Sequence, residues 1–313
     1  MFKLPTPIQE VVFSPFEFTL WSKRDDLIHP LISGNKYRKL KYNLQAFRTS
    51  SSRGIISFGG VYSNHLHALA AACHHQNIPC VAIVRGEDHH PHPTLDFLKS
   101  CGVTLHFVSR EAYRSKEQHP FIQTIIQQYP DYMLIPEGGS NLLALKGVEE
   151  LIDEMARQHT FPDFLAVAAG TGATAAGILK GLKKWNAKSR LLVFSALKGD
   201  FLKEEIAARS GATTEDFYFT DMSCLGGYAR ITQEYLRFLF DFERESGIEV
   251  DPVYNGKVLL GLQMLQQQSH LTKDNTVLWI HTGGLQGKAG FENEYAAIRD
   301  DFQQTNWLQS DRP

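Results

Sequence analysis

Cysteine is scarce in this 313-residue chain. Its four residues, Cys73, Cys80, Cys101 and Cys224, lie far apart and form no Cys-x-x-Cys pair. That spacing excludes a disulfide framework and a zinc ribbon, and it fits thiols kept reduced in a cytoplasm. Excess charge of either sign is also missing. Lys plus Arg number 32 against 34 acids, which leaves no field for gripping nucleic acid or an anionic membrane. The longest stretch without a charged residue or histidine, Phe164 to Leu179, is too short and too glycine-rich to cross a bilayer. Repeats and low-complexity tracts are absent. Met1-Phe2-Lys3-Leu4-Pro5-Thr6-Pro7 carries prolines where a signal peptide needs an apolar run. The expectation is a soluble cytoplasmic protein. With 43% hydrophobic and 21% charged residues, it has the composition of an ordinary globular chain long enough for a sizeable core.

What is present is alternation. Short apolar runs rich in β-branched residues read as buried strands: Gly54–Phe58, Cys80–Val84, Val103–Phe107, Phe164–Ala168, Leu191–Phe194 and Thr276–Ile280. Helical patterns fall between them at Leu66–His75, Phe121–Gln128, Leu142–Ala156 and Ile178–Trp185. This order predicts an α/β fold of open, mostly parallel sheets covered by helices. Ligands in such folds bind at the carboxyl ends of strands. Composition changes near Arg48–Arg53 and Pro136–Ser140 divide the chain into a large domain (1–51 and 139–313) and a small inserted α/β domain (52–138).

Four segments carry chemistry. Gly170-Thr171-Gly172-Ala173-Thr174 follows a strand and opens a helix, where backbone N–H groups and the helix dipole favour a phosphate. The loop also fits a relaxed dinucleotide pattern, but the next strand ends Ser195-Ala196-Leu197-Lys198, without the acid a ribose requires. Gly59-Gly60-Val61-Tyr62-Ser63-Asn64-His65 repeats the strand-to-helix arrangement and suits a carboxylate at a capped helix start. Lys36 stands in the basic cluster Lys36, Arg38, Lys39 and Lys41, which alone reads as a solvated helix face. As a nucleophile it needs a pKa lowered by burial or a neighbouring cation, and Tyr37, Leu40 and Tyr42 offer apolar cover. His281-Thr282-Gly283-Gly284 ends the last strand with a hydroxyl and two glycines. His74, His75, His89, His90 and His92 lack partners at ligand spacing and read as solvated loop residues, so no metal is expected.

Taken together, these residues resemble the D-cysteine desulfhydrase and 1-aminocyclopropane-1-carboxylate deaminase family. That family comprises pyridoxal-phosphate enzymes with the tryptophan synthase β-subunit fold (fold type II). The matching pieces run in family order through nearly the whole chain: Gly34–Leu40, Gly59–His65, Thr171–Gly177, Asp251–Lys257 and His281–Gly284. The resemblance implies a small amino-acid substrate, pyridoxal 5'-phosphate as cofactor and a homodimer. It implies that Lys36 holds the cofactor as a Schiff base, Asn64 meets its phenolate oxygen, and Gly170, Thr171, Gly172, Ala173 and Thr174 hold its phosphate. Thr282 would meet the ring nitrogen and Ser63 the substrate carboxylate, with Tyr254 and Tyr228 as active-site tyrosines.

Three departures bear on substrate. Asn255 stands where the family's deaminases carry glutamate, Tyr62 replaces glutamine, and Leu66-His67 replaces Thr-Arg. A hydroxyl at Thr282 does not stabilise a protonated pyridine as a carboxylate would. The expectation is therefore β-elimination from D-cysteine, with cyclopropane ring opening as the alternative. A cofactor-binding protein without turnover and a nicotinamide oxidoreductase are the remaining readings.

Overall fold

The computed structural model describes residues 1–88 and 92–300. In chain order the elements are β1 (Ile8–Val11), β2 (Thr19–Lys23), α1 (Gly34–Thr49), β3 (Gly54–Gly60), α2 (Asn64–His75), β4 (Cys80–Arg85), α3 (Pro93–Ser100), β5 (Thr104–Val108), α4 (Arg110–Ser115) and α5 (Pro120–Ile126). There follow β6 (Tyr132–Ile135), α6 (Leu142–Arg157), β7 (Phe164–Ala169), α7 (Ala173–Lys184), β8 (Arg190–Ser195), α8 (Phe201–Ser210), β9 (Phe217–Thr220), α9 (Gln233–Ser246), α10 (Asn255–Gln267) and β10 (Thr276–Ile280).

The strands form two sheets. One has the order β1-β2-β10-β7-β8-β9 and is parallel except for β1. The other, β5-β4-β3-β6, is parallel throughout and is built entirely from residues 54–135. Central strands of the large sheet are apolar on both faces because both are covered. Leu165 and Val167 of β7 and Leu278 and Ile280 of β10 pack towards α6, α7 and α8. The alternating residues Ala166, Ala168, Val277 and Trp279 pack towards α9 and α10. Each fully buried Leu, Ile or Val contributes about 1.5–3 kcal/mol. α1, α2 and α3 cover one face of the small sheet, and α4 and α5 the other.

α1 is fixed by charge as well as by packing. Arg38 is 1% exposed; its Nε lies 2.6 Å from Asp25 Oδ2 and its Nη1 3.0 Å from Glu154 Oε1. Lys23 Nζ reaches the same Glu154 at 3.1 Å. Burial alone would lower the Arg38 pKa, but Asp25 and Glu154 outweigh it and hold the guanidinium charged. The helix is thereby tied to the segment after β2 and to α6.

One expectation about histidines is corrected. His74 and His75 are exposed, but His92 is buried and its ring accepts from Leu95 N at 3.4 Å, capping α3. His89 and His90 lie outside the described residues. No group of three or more metal-ligating side chains occurs among the described residues, and no helix there is long and apolar enough to cross a membrane.

Candidate active site

Lys36 is the third residue of α1, at the carboxyl ends of the large sheet's strands. Its approach is set by Gly34, whose φ is +61° and whose missing Cβ would lie 1.9 Å from the Thr282 carbonyl oxygen. Only glycine lets the start of α1 lie against the end of β10. Asn35 then links three of the segments. Its Oδ1 accepts from Lys36 Nζ at 3.1 Å, its Nδ2 donates to Thr174 Oγ1 at 3.0 Å, and its N–H donates to Thr282 O at 3.3 Å. Burial lowers the Lys36 pKa to about 8 against the opposing pull of Asp251. At neutral to mildly alkaline pH a useful share of the amine is unprotonated, as a nucleophile requires.

The basic cluster does not form a solvated face. Arg38 is buried in its ion-pair network, and Lys41 meets Glu150 at 2.6 Å. Lys39 is 2% exposed and points to the glycine-rich loop, its Nζ 3.4 Å from Thr171 Oγ1. Burial, then Lys36 and Arg209, push the Lys39 pKa well down. Tyr42 does not cover Lys36; its hydroxyl donates to Glu150 at 2.7 Å.

The glycine-rich loop enters α7 through Gly172, at φ +73°, and no side chain caps the helix. Its first N–H groups therefore stay available to a ligand. A Cβ at Gly170 would lie 2.9 Å from the Tyr254 ring. No acid stands at the end of β8, where Ser195 Oγ instead donates to Leu197 O at 2.8 Å. The loop that follows is held by Asp221, whose Oδ2 accepts from Gly199 N at 2.8 Å.

Ser63 caps α2, its Oγ accepting from Leu66 N at 3.2 Å. Asn64 opens that helix, and its Oδ1 accepts from Gln286 Nε2 at 2.7 Å. Its Nδ2 lies beside Gly284, where a Cβ would come within 2.6 Å. Behind it, Ser57 Oγ donates to Ile135 O at 2.7 Å, so His65 Nε2, 2.8 Å away, must donate to Ser57. Burial, then Lys36 and Lys39, push the His65 pKa down to about 3 and keep the ring neutral. His67 stacks on Phe97 of α3 with ring centroids 4.0 Å apart. It serves packing, where the resembling family carries arginine.

Thr282 is 7% exposed and bonds to Asn255, itself fully buried and held by Asp251. Tyr254 stands at the start of α10, its hydroxyl 3.4 Å from that of Tyr228. Burial, then Tyr228, raise the Tyr254 pKa and keep the phenol protonated. The Tyr228 loop is pinned by Lys257, whose Nζ donates to Cys224 O at 2.8 Å and Gly227 O at 2.7 Å. Asn35, Lys39, Asp251, Lys257 and Gln286 thus join the site without having been given a role from the sequence, although all but Gln286 lie in its quoted motifs. Lys39, Lys257 and Gln286 find their partners tens to hundreds of residues away, whereas Asp251 bonds residues two to four positions on.

These donors suit a phosphorylated pyridine aldehyde. They combine a part-neutral amine, an uncapped helix start beside a buried cation, a free amide N–H and a hydroxyl at the end of β10.

Comparisons with known proteins agree. A family model described as pyridoxal-phosphate dependent enzyme matches residues 2–283. A mitochondrial bifunctional D-cysteine desulfhydrase/1-aminocyclopropane-1-carboxylate deaminase of Arabidopsis thaliana is 30% identical, over 98% of this chain and 82% of its own. A D-cysteine desulfhydrase of Yersinia enterocolitica is 27% identical, covering 85% and 86%. Among solved structures, an ACC deaminase homologue superposes with a TM-score of 0.83 at 25% identity, over 95% of this chain and 94% of its own. A pyridoxal 5'-phosphate-dependent aspartate racemase shares the fold, with a TM-score of 0.67 at 14% identity over 89% and 90%.

Proposed function

The chain belongs to the pyridoxal-phosphate-dependent enzymes, and on that footing we propose that it eliminates a β leaving group from a small amino acid, D-cysteine first among candidates. The observation that carries the reading is the junction at Asn35, which ties the Lys36 amine to the glycine-rich loop and to Thr282. Lys36 would hold the cofactor aldehyde through Nζ. Gly170 to Thr174 with Lys39 would hold its phosphate, Asn64 Nδ2 its ring oxygen and Thr282 its ring nitrogen. When bound, the cofactor supplies an electron sink for charge left at the substrate's α-carbon.

The chain's own residues do the rest. Ser63 Oγ can still donate while it caps α2, and with the first N–H groups of that helix it binds the substrate carboxylate. Lys36 Nζ, its pKa lowered by burial, would take the α-proton of the bound substrate as general base. The Tyr254 phenol, held protonated by burial, packs against Gly170 and would donate to a departing thiolate. The balance is D-cysteine plus water giving pyruvate, sulfide and ammonia.

A second reading, opening of 1-aminocyclopropane-1-carboxylate to 2-oxobutanoate and ammonia, is supported by the hydrogen-bonded pair Tyr254 and Tyr228 and by the bifunctional relative. A panel of D- and L-amino acids with β leaving groups, alongside the cyclopropane substrate and read by keto-acid product, separates the two. Lys36→Ala should lose both turnover and the absorption band that forms when pyridoxal phosphate is added. Retention of both would sink the reading.

A further inference from the structure

The surroundings of Asn255 dictate which way its amide points. Its Nδ2 lies 2.5 Å from Asp251 Oδ2 and 2.8 Å from the Gly283 carbonyl oxygen, and both of these only accept. Its Oδ1 lies 3.0 Å from the Thr282 backbone N–H, which only donates. The amide is thus oriented from both ends by groups of fixed polarity. Thr282 Oγ1 lies 3.3 Å from the same Oδ1, so in that bond the hydroxyl is the donor. With its proton turned towards Asn255, Thr282 Oγ1 has only lone pairs left to offer a second partner.

Charge argues the same way. Asp251 is 1% exposed and accepts from the N–H groups of Val253, Tyr254 and Asn255 at 3.1, 2.7 and 3.0 Å. No ion pair reaches it among the described residues. His281 offers none, because its Nδ1 accepts from Gly283 N at 3.2 Å while its Nε2, 2.8 Å from Glu249 O, must donate. Asp251 favours the charge of two lysines, Lys36 and Lys257. Burial raises the Asp251 pKa against the N–H groups of Asn255 and Tyr254 that hold it down, and as a carboxylate it favours further positive charge nearby.

We propose that Asp251, acting through Asn255, is a positioning residue that fixes Thr282 Oγ1 as an acceptor, so that the cofactor's ring nitrogen must carry a proton to bond it. The inference rests on Thr282 being the ring-nitrogen partner. It reverses the expectation from residue type, by which a threonine leaves the ring unprotonated. A protonated ring withdraws electrons more strongly, which widens the chemistry from rapid elimination towards reactions that need a longer-lived carbanion.

The test uses the full-length protein loaded with pyridoxal phosphate carrying nitrogen-15 in its ring, read by nitrogen NMR at neutral pH. The wild type should resonate at the pyridinium position. Thr282→Val, which keeps the side-chain shape, should shift the resonance to the free-pyridine position, as should Asn255→Leu. Should Asn255→Leu fail to fold, Thr282→Val decides alone. A wild-type resonance at the free-pyridine position that Thr282→Val still displaces would overturn the relay but leave Thr282 as the ring partner. A resonance that Thr282→Val leaves unmoved, at either position, would remove Thr282 from the ring nitrogen and overturn both the relay and the site reading.

Discussion

Lys39 offers the sharpest test of the phosphate site, because its charge is a liability without a ligand and an asset with one. It is 2% exposed, and its one hydrogen bond among the described residues is the 3.4 Å contact to Thr171 Oγ1. Its depressed pKa means that the folded apoprotein binds fewer protons than the unfolded chain between the folded value and 10.5. Apoprotein stability should therefore rise with pH across that window, and the burden is greatest below the folded value. Lys39→Met should make the apoprotein more stable at neutral pH, with the gain shrinking as pH climbs towards 10.5. With cofactor the sign reverses. A phosphate oxygen about 4 Å from the ammonium, at an effective dielectric near 20, attracts it by about 4 kcal/mol. Continued burial of the amine consumes part of this, leaving about 1.4–2.8 kcal/mol, or ~10- to 100-fold in cofactor affinity. Thermal melts of the apoprotein and an absorbance titration with pyridoxal phosphate measure the two effects separately. Unchanged cofactor affinity in Lys39→Met, or a less stable apoprotein, would refute the reasoning.

Other perturbations probe the frame. Arg38→Met should cost about 3–5 kcal/mol in urea unfolding at neutral pH, since it leaves Asp25 buried without its ion pair and Glu154 with Lys23 alone. Burial would raise the Glu154 pKa, but Arg38 and Lys23 outweigh it, so its stabilisation is present above the ordinary value of 4.5 and is lost as pH falls through the folded value. The gap between Arg38→Met and wild type should narrow in acid. Gly34→Ala should destabilise by at least ~2 kcal/mol and weaken cofactor retention, as its Cβ would overlap the Thr282 carbonyl at positive φ. Lys257→Met frees the Tyr228 loop and should lower kcat/KM by about tenfold, with a smaller change in cofactor affinity. An equal loss in both would show that the loop shapes the cofactor site instead.

Sequence patterns reveal the parts of this fold that are governed locally. β3, β4, β7, β8 and β10 announce themselves as unbroken apolar runs because both of their faces are covered. β1, with one buried residue among its four, and the short β9 carry no comparable pattern. The site divides along the same line. Glycine-rich turns after strands mark Gly170, Ser63 and Thr282, whose geometry follows from the turn itself. Arg38 and Lys39 look like any exposed cations, because the carboxylates and the loop that claim them are more than a hundred residues distant, apart from Asp25. His92 reads as a loop residue for a similar reason: its burial comes from packing and not from its neighbours in sequence.

The contact of Gly34 with Thr282 also sets a schedule for biogenesis. β2, made early, pairs with β10, the last strand of its sheet to be synthesised, and Asn35 leans on the residue two beyond that strand. The small sheet, contiguous in sequence, can close while the ribosome is still adding the other half. The amine of Lys36 finds its surroundings only once residue 283 has emerged. A chain cut before Thr282 would leave the start of α1, and with it Lys36, without the carbonyl that Asn35 N–H bonds.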